Sequence, residues 1–266
     1  MLQRELSIDL VRVMKSLRLG KLLPTLAERL RQARERQMDP EDAMLLVLSD
    51  EVQRRQRQSV RLRAAKAGLE PDLVFDEWND RAKITYDRRL LDDLRTLRFV
   101  EMNQHVLVMG PVGVGKTMIA HALGHLAVER KLSVHCQSAQ RLLHDLKASR
   151  LDASHEMALR RLVAVDLLII DDFLLRPLDG METADIHHLV EARHRRGSVV
   201  LTSNRDPSEW LAMMADPMLG QAVTDRFCNN AFDLVIEGES YRKRQKPQPP
   251  ASADDGVVDG QLATPE

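Results

Sequence analysis

Gly110-Pro111-Val112-Gly113-Val114-Gly115-Lys116-Thr117 follows directly on the apolar run Val106-Leu-Val-Met109 and leads directly into Met118-Ile-Ala-His-Ala-Leu, a helix-forming stretch. Strand, glycine-rich turn and helix in that order make a cradle for the phosphates of a nucleotide. The glycines let successive backbone N–H groups turn toward one anion, and the helix that follows points its positive end at the same place. Lys116 is placed to reach the outer phosphates and the Thr117 hydroxyl to hold magnesium. The expected contact set runs from Gly110 to Met118.

Outward from this loop the chain alternates. Strands are expected at 105–109, 132–137, 166–171, 198–203 and 232–236, with helices at 116–130, 138–149, 155–163, 181–196, 207–214 and 217–227. That pattern predicts an α/β fold, a parallel sheet flanked by helices on both faces. Upstream, Leu6, Leu10, Val13, Leu17, Leu22, Leu23, Leu26 and Leu30 recur at spacings that are interrupted near Gly20 and Pro24, which reads as two helices. Asp39-Pro40-Glu41-Asp42 then starts a long helix over 41–67, capped by Asp39 and ended by Gly68. Pro71 and Leu73-Val-Phe75-Asp-Glu-Trp78 read as a linker whose aromatics pin one unit to the next, and a helix over 86–100 leads into the first strand. The organisation expected is an N-terminal all-helical domain at 1–85, a core at 86–244 and a tail at 245–266. The tail is rich in Pro, Ser and Asp and lacks apolar periodicity, which predicts disorder.

A second signal is Asp166-Leu-Leu-Ile-Ile170-Asp171-Asp172-Phe173, an apolar strand ending in two carboxylates. Beside a phosphate cradle, Asp171 would hold the metal or its water and Asp172 would polarise the attacking water. Third, Val199-Val-Leu-Thr202-Ser203-Asn204 ends a strand in polar groups, where the Asn204 amide is placed to orient that water. Fourth, Arg226 stands near the end of a helix before the last strand, where it would reach the γ-phosphate held by a stacked neighbour. Phosphate loop, Asp-Asp strand, Asn strand and late arginine are, in that order, the motifs of an AAA+ P-loop ATPase, so ATP and Mg2+ are the ligands expected.

The formal net charge of the 266-residue chain is −1, yet residues 1–70 carry 15 Lys and Arg against 10 Asp and Glu. Six of these, Arg54, Arg55, Arg57, Arg61, Arg63 and Lys66, follow one another without an intervening acid. On the residues alone a solvated helix face and a surface for backbone phosphates both account for such a run. Aromatic residues make up 3% of the chain, too few for a base-stacking platform, so duplex is favoured over single strands. Cys136 and Cys228 lie far apart with no metal-ligand spacing, the first residues lack the apolar core of a signal peptide, and no stretch has the length of a membrane span. A cytoplasmic protein without a membrane partner is expected.

Gly110–Thr117, Leu167–Phe173, Gly197–Asn204, Ser208-Glu-Trp210, Asp216-Pro217 and Gly238-Glu-Ser-Tyr-Arg242 together resemble the IstB family, helper ATPases of bacterial insertion sequences. The opening Leu17-Arg-Leu-Gly20 and the basic helix at 52–67 resemble that family's N-terminal region as well. The resemblance implies an ATP-dependent binder of double-stranded DNA that forms homo-oligomers along it and stimulates a cognate transposase. It gives Lys116, Thr117, Asp171, Asp172, Asn204 and Arg226 the roles argued above. Many AAA+ cores carry Glu where this chain has Asp172, and the shorter side chain predicts slow turnover. Helicase loaders of the DnaC or DnaI type, which resemble the same core, give the alternative reading.

Two further candidates resolve to structural roles on the sequence. His121 and His125 share a helix face but lack the Glu of a zinc-binding His-Glu-x-x-His pattern, so core packing or a surface position is expected of them. Arg193-His-Arg-Arg196 before Gly197 reads as positive charge at a helix C-terminus.

Overall fold

A computed structural model describes residues 6–78 and 84–240. The N-terminal part holds α1 (Ile8–Ser16), α2 (Leu23–Glu35) and α3 (Pro40–Ala67). Then follow β1 (Ile84–Thr85), α4 (Arg88–Arg95), α5 (Arg98–Glu101), β2 (His105–Met109), α6 (Lys116–Glu129), β3 (Val134–Ser138), α7 (Ala139–Ser149) and α8 (His155–Ala164). The chain continues through β4 (Leu167–Phe173), α9 (Gly180–Arg193), β5 (Ser198–Ser203), α10 (Pro217–Cys228), β6 (Ala231–Val235) and β7 (Glu237–Gly238).

Five strands form one parallel sheet in the order β3-β4-β5-β2-β6. Alternation along each strand sends side chains to two cores. Leu107, Leu168, Ile170, Val199 and Leu201 meet α7, α9, α10 and Trp210 on one face. Val106, Val108, Ile169, Val200 and Leu234 meet α4 and α6 on the other. Being covered on both faces, β2, β4 and β5 read in sequence as apolar runs, whereas the edge strands β3 and β6 are only partly buried and carry polar residues.

Local chemistry sets the helix ends. Asp39 caps α3 by accepting from the Glu41 N–H, Pro40 takes the first position, and Gly68 ends the helix at φ 83°. Asp179 and Glu182 close a reciprocal capping box on α9, and Asp216 accepts from the Met218 and Leu219 N–H groups at the start of α10.

The N-terminal helices gather around Met14, Leu22 and Leu26, and Arg29 on α2 grips Asp50 on α3 through two hydrogen bonds of 2.7 and 3.1 Å. At 28 residues α3 is about 42 Å long. Its first half closes this small core, while Ala64 and Ala67 near its end, with Leu69 beyond, belong to the packing around α6. The unit that holds the nucleotide loop therefore grips the end of the basic helix.

Two expected helices take other forms. The segment 86–100 breaks at Leu97, whose φ of 60° ends one helix and starts the next. The segment 207–214 is two 3-10 turns, Pro207–Glu209 and Leu211–Met213, which lets Trp210 between them bury fully against Phe173 and Phe227. The short antiparallel pair β1–β7 lacked the length to show in sequence. Tyr241, Arg242 and the tail at 245–266 lie outside the described residues.

Candidate nucleotide-binding and hydrolysis site

β2 ends at Met109, and the chain turns through the glycine loop at the carboxyl edge of the sheet before α6 begins at Lys116. Two glycines carry the turn. At Gly110, φ 145°, an added Cβ would stand 2.1 Å from the Ile236 carbonyl oxygen, and at Gly115, φ 102°, it would stand 2.7 Å from the Trp78 ring. Left-handed backbone and close approach together leave only glycine at both positions. Val114 is buried and anchors the loop, while Pro111 and Val112 are exposed and Met118 is half-buried. The Lys116 ammonium donates to the carbonyls of Gly110 and Pro111 at 2.8 and 2.7 Å, so its charge already lies folded back over the loop.

β4 lies two strands from β2, with β5 between them. The Thr117 hydroxyl sits 3.1 and 3.0 Å from the two Asp171 carboxylate oxygens, the pair expected from sequence to share a metal. A hydroxyl and a carboxylate at this distance are the hard oxygen donors that magnesium takes, and Lys116 at the start of α6 supplies the positive charge that suits a triphosphate. The residues fit both groups.

Asp172 needs a local explanation, because successive residues of a regular strand point to opposite faces. β4 pairs regularly with β5 up to Ile170–Leu201, and the next pair is Phe173–Ser203, so β4 holds one extra residue in between. This is a β-bulge. Asp172 has φ 56° there, which costs a non-glycine residue roughly 1–2 kcal/mol. The bulge is held from β5: the Thr202 hydroxyl accepts from the Asp172 N–H at 2.8 Å and donates to Asp171, and the Ser203 hydroxyl donates to the Phe173 carbonyl at 3.2 Å. Sequence reasoning passed over Thr202. Its signal was a hydroxyl at the end of an otherwise apolar buried strand.

Asn204 is exposed one residue past the Met109–Ser203 pair, so it leaves β5 alongside the first glycine of the loop. Arg226 stands apart. It lies on α10 against α9, its guanidinium 3.3 Å from His187 Nε2 and 3.6 Å from Glu191. α10 ends just before Ala231, which pairs with His105 at the amino end of β2. The side chain is thus at the opposite end of the sheet from its own phosphate loop.

Of the six basic residues on α3, Arg54 and Arg55 both bind Glu51, at 2.7 and 2.6 Å, and hold this buried carboxyl down at about 2. Arg57, Arg61 and Lys66 are exposed and Arg63 is half-buried. Arg55, Arg63 and Lys66 line a shallow groove of about 350 Å³ with Gln58, Ser59 and Leu62. The end of this helix is tied to α6. His121 Nδ1 accepts from the Glu70 N–H at 3.1 Å, His125 Nε2 lies 2.8 Å from the Glu70 carbonyl, and Gly68 packs against the Cys136 carbonyl. Burial lowers the His121 pKa, which keeps the imidazole in the neutral form that accepts. His121 is buried and His125 half-buried, within the packing or surface roles expected of them.

Arg193 stands in the last turn of α9, the helix end where its charge was expected. It is fully buried and donates to the carbonyls of Leu162, Val163, Val165, Asp166 and Ser198 at the amino end of the sheet. Burial lowers its pKa to about 10.

A parallel sheet in this order, with a phosphate loop after β2 and a carboxylate pair on β4, defines an AAA+ P-loop ATPase. Residues 12–249 match the IstB-like ATP binding protein family, and the chain belongs to it. An insertion-sequence ATP-binding protein of Mycobacterium tuberculosis is 31% identical over 88% of this chain and 94% of its own length. The ATP-binding protein of insertion sequence IS21 from Pseudomonas aeruginosa is 30% identical over 82% of each chain. Among solved structures, the DnaC helicase loader superimposes with a TM-score of 0.54 over 62% of this chain and 97% of that one, at 19% identity. The replication initiator DnaA, bound to AMPPCP and single-stranded DNA, gives 0.53 over 64% and 51%, at 20% identity. These two show the fold. Among the described residues no helix is long and apolar enough to cross a membrane.

Proposed function

We propose that this chain is a transposition helper ATPase that binds double-stranded DNA with little sequence preference, assembles on it when ATP is bound, and directs a cognate transposase. In this reading residues 1–85 act as the DNA-binding and oligomerising domain and 86–244 as the ATPase core. Lys116 and the loop from Gly110 to Met118 hold the triphosphate, Thr117 and Asp171 hold Mg2+, and Asp172 with Asn204 orients the attacking water. The observation that carries the proposal is the position of Arg226. It is remote from its own loop yet lies before the last core strand, so it completes a site only when a second protomer stacks on the first. Hydrolysis then dismantles what ATP builds, and the short Asp172 side chain makes that step slow.

DNA contact falls to the exposed Arg57, Arg61 and Lys66 of the basic run, with the half-buried Arg63 beside them. Arg54 and Arg55 contribute less while Glu51 holds them. The clamp of His121 and His125 on Glu70 gives the nucleotide site a physical connection to this helix. Relatives named as insertion-sequence ATP-binding proteins support the transposase partner.

The test is fluorescence anisotropy of a labelled random-sequence duplex, with a single strand of equal length beside it, under ATP, ADP or no nucleotide. Tight, cooperative duplex binding that needs ATP and vanishes in Lys116→Ala is the expected result. A clear preference for the single strand refutes the helper reading and favours a helicase loader.

A further inference from the structure

Thr202 is fully buried at the end of β5, after the apolar run Val199-Val-Leu201. A buried hydroxyl persists in such a strand only where its hydrogen bonds are met. Here both are met by the Asp171–Asp172 pair. The Asp172 N–H donates to Thr202 Oγ1 at 2.8 Å, and the Thr202 hydroxyl donates to Asp171 Oδ1. The directions are forced. An amide N–H only donates, so Thr202 must accept from it, and its one proton is left for Asp171.

We propose that Thr202 is a positioning residue for ATP hydrolysis, acting through the two carboxylates without touching the nucleotide. It rests on the ATPase reading above. With one oxygen it holds the backbone of Asp172 in the left-handed conformation that re-aims its side chain, and it fixes the rotamer of the metal-binding Asp171. Asp171 is also held by Thr117. A metal ion shared by Thr117 and Asp171 would claim the Thr117 hydroxyl oxygen, and Thr202 would remain as the donor to Asp171. Ser203 closes the far end of the bulge through the Phe173 carbonyl, so Thr202 answers for the carboxylate end alone.

The experiment compares Thr202→Val, which keeps the shape and removes the hydroxyl, with Thr202→Ser, which restores it. An unpaired buried N–H and a freed carboxylate predict that Thr202→Val lowers kcat by about 10–100-fold. The KM for ATP and the ADP affinity in EDTA stay near wild type, because the phosphate loop is untouched. The gain in fluorescent-ADP affinity on adding Mg2+ falls with kcat, and Thr202→Ser recovers both. Wild-type kcat with a wild-type Mg2+ response in Thr202→Val overturns the proposal. So does an equal loss of ADP affinity with and without Mg2+, which marks a merely structural residue. Amide exchange at Asp172 in the wild type is a second measure that needs no variant: slow exchange is expected, and exchange as fast as a free amide refutes the proposal. Wild-type protein that releases no phosphate counts against the ATPase reading, and the Mg2+-dependent ADP affinity then still decides on Thr202.

Discussion

Gly115→Ala separates what the backbone of the phosphate loop does from what its side chains do. Gly115 has φ 102°, a conformation that costs an L-residue roughly 1–2 kcal/mol. The new Cβ would also lie 2.7 Å from Trp78 Cζ3, well inside carbon contact distance. Trp78 retreats only by releasing the 3.1 Å bond from its indole N–H to the Tyr86 hydroxyl, worth about 1 kcal/mol. The expected destabilisation is about 2–3 kcal/mol, which for a chain of this size lowers the Tm by about 4–12 °C. Nucleotide binding suffers more, because the N–H groups that converge on the phosphates are displaced. Losing two hydrogen bonds to a charged ligand lowers affinity by at least about 100-fold. Thermal melts and titration with fluorescent ADP measure the two effects separately. Gly180→Ala is the control: nothing lies within 4 Å of its added Cβ, so affinity is expected to be unchanged and the Tm equal or slightly higher. A Gly115→Ala protein that binds ADP as tightly as the wild type would refute the cradle assigned to this loop.

Arg193→Met strands five carbonyls that the buried guanidinium now serves, and is expected to cost at least about 3 kcal/mol in denaturant unfolding. A loss below about 1 kcal/mol would return Arg193 to a surface role. Burial lowers the His105 pKa from its ordinary 6.5 to about 4, with Arg193 and His194 adding to the effect. The unfolded chain therefore takes up this proton first. Stability is complete above pH 6.5 and falls as pH drops toward 4, by about 3 kcal/mol for this group. Denaturation across that window checks it, and His105→Gln should flatten the slope. Asp171→Asn should bind ATP equally with Mg2+ or with EDTA, whereas the wild type should weaken on chelation, a contrast read by calorimetry.

The phosphate loop, the three inner strands and the ends of α3 were legible because each rests on local chemistry: glycine at left-handed turns, the Asp39 cap, and apolar runs long enough for strands buried on both faces. What stayed hidden depends on contacts between distant residues. Leu97 breaks the 86–100 segment although nothing adjacent to it signals a turn. Trp210 reads as part of a helix until its burial against Phe173 and Phe227 shows why the segment tightens into 3-10 turns. Arg193 looks like three neighbouring basic residues, and only Gly197, where a Cβ would meet its guanidinium at 2.7 Å, hints at a different place for it. In the site, the sequence assigns Lys116, Thr117 and Asp171 to one place, and the structure sets Thr117 against Asp171. The sequence gives no sign that Asp172 requires a bulge, and of Thr202 only a hydroxyl at the end of an apolar strand, because strand pairing sets what that hydroxyl holds.

The central claim is that each ATP site is completed by a neighbour, and mixing two defective proteins tests it most directly. Asp172→Asn lacks a working site of its own but still presents Arg226, while Arg226→Ala keeps the site and lacks the arginine. Phosphate release is measured on duplex DNA for each variant and for an equal mixture. Each variant alone is expected to be inactive, and the mixture to regain activity wherever an Arg226→Ala site meets an Asp172→Asn neighbour. A mixture as inactive as its components, or an Arg226→Ala protein as active as the wild type, would contradict the shared site.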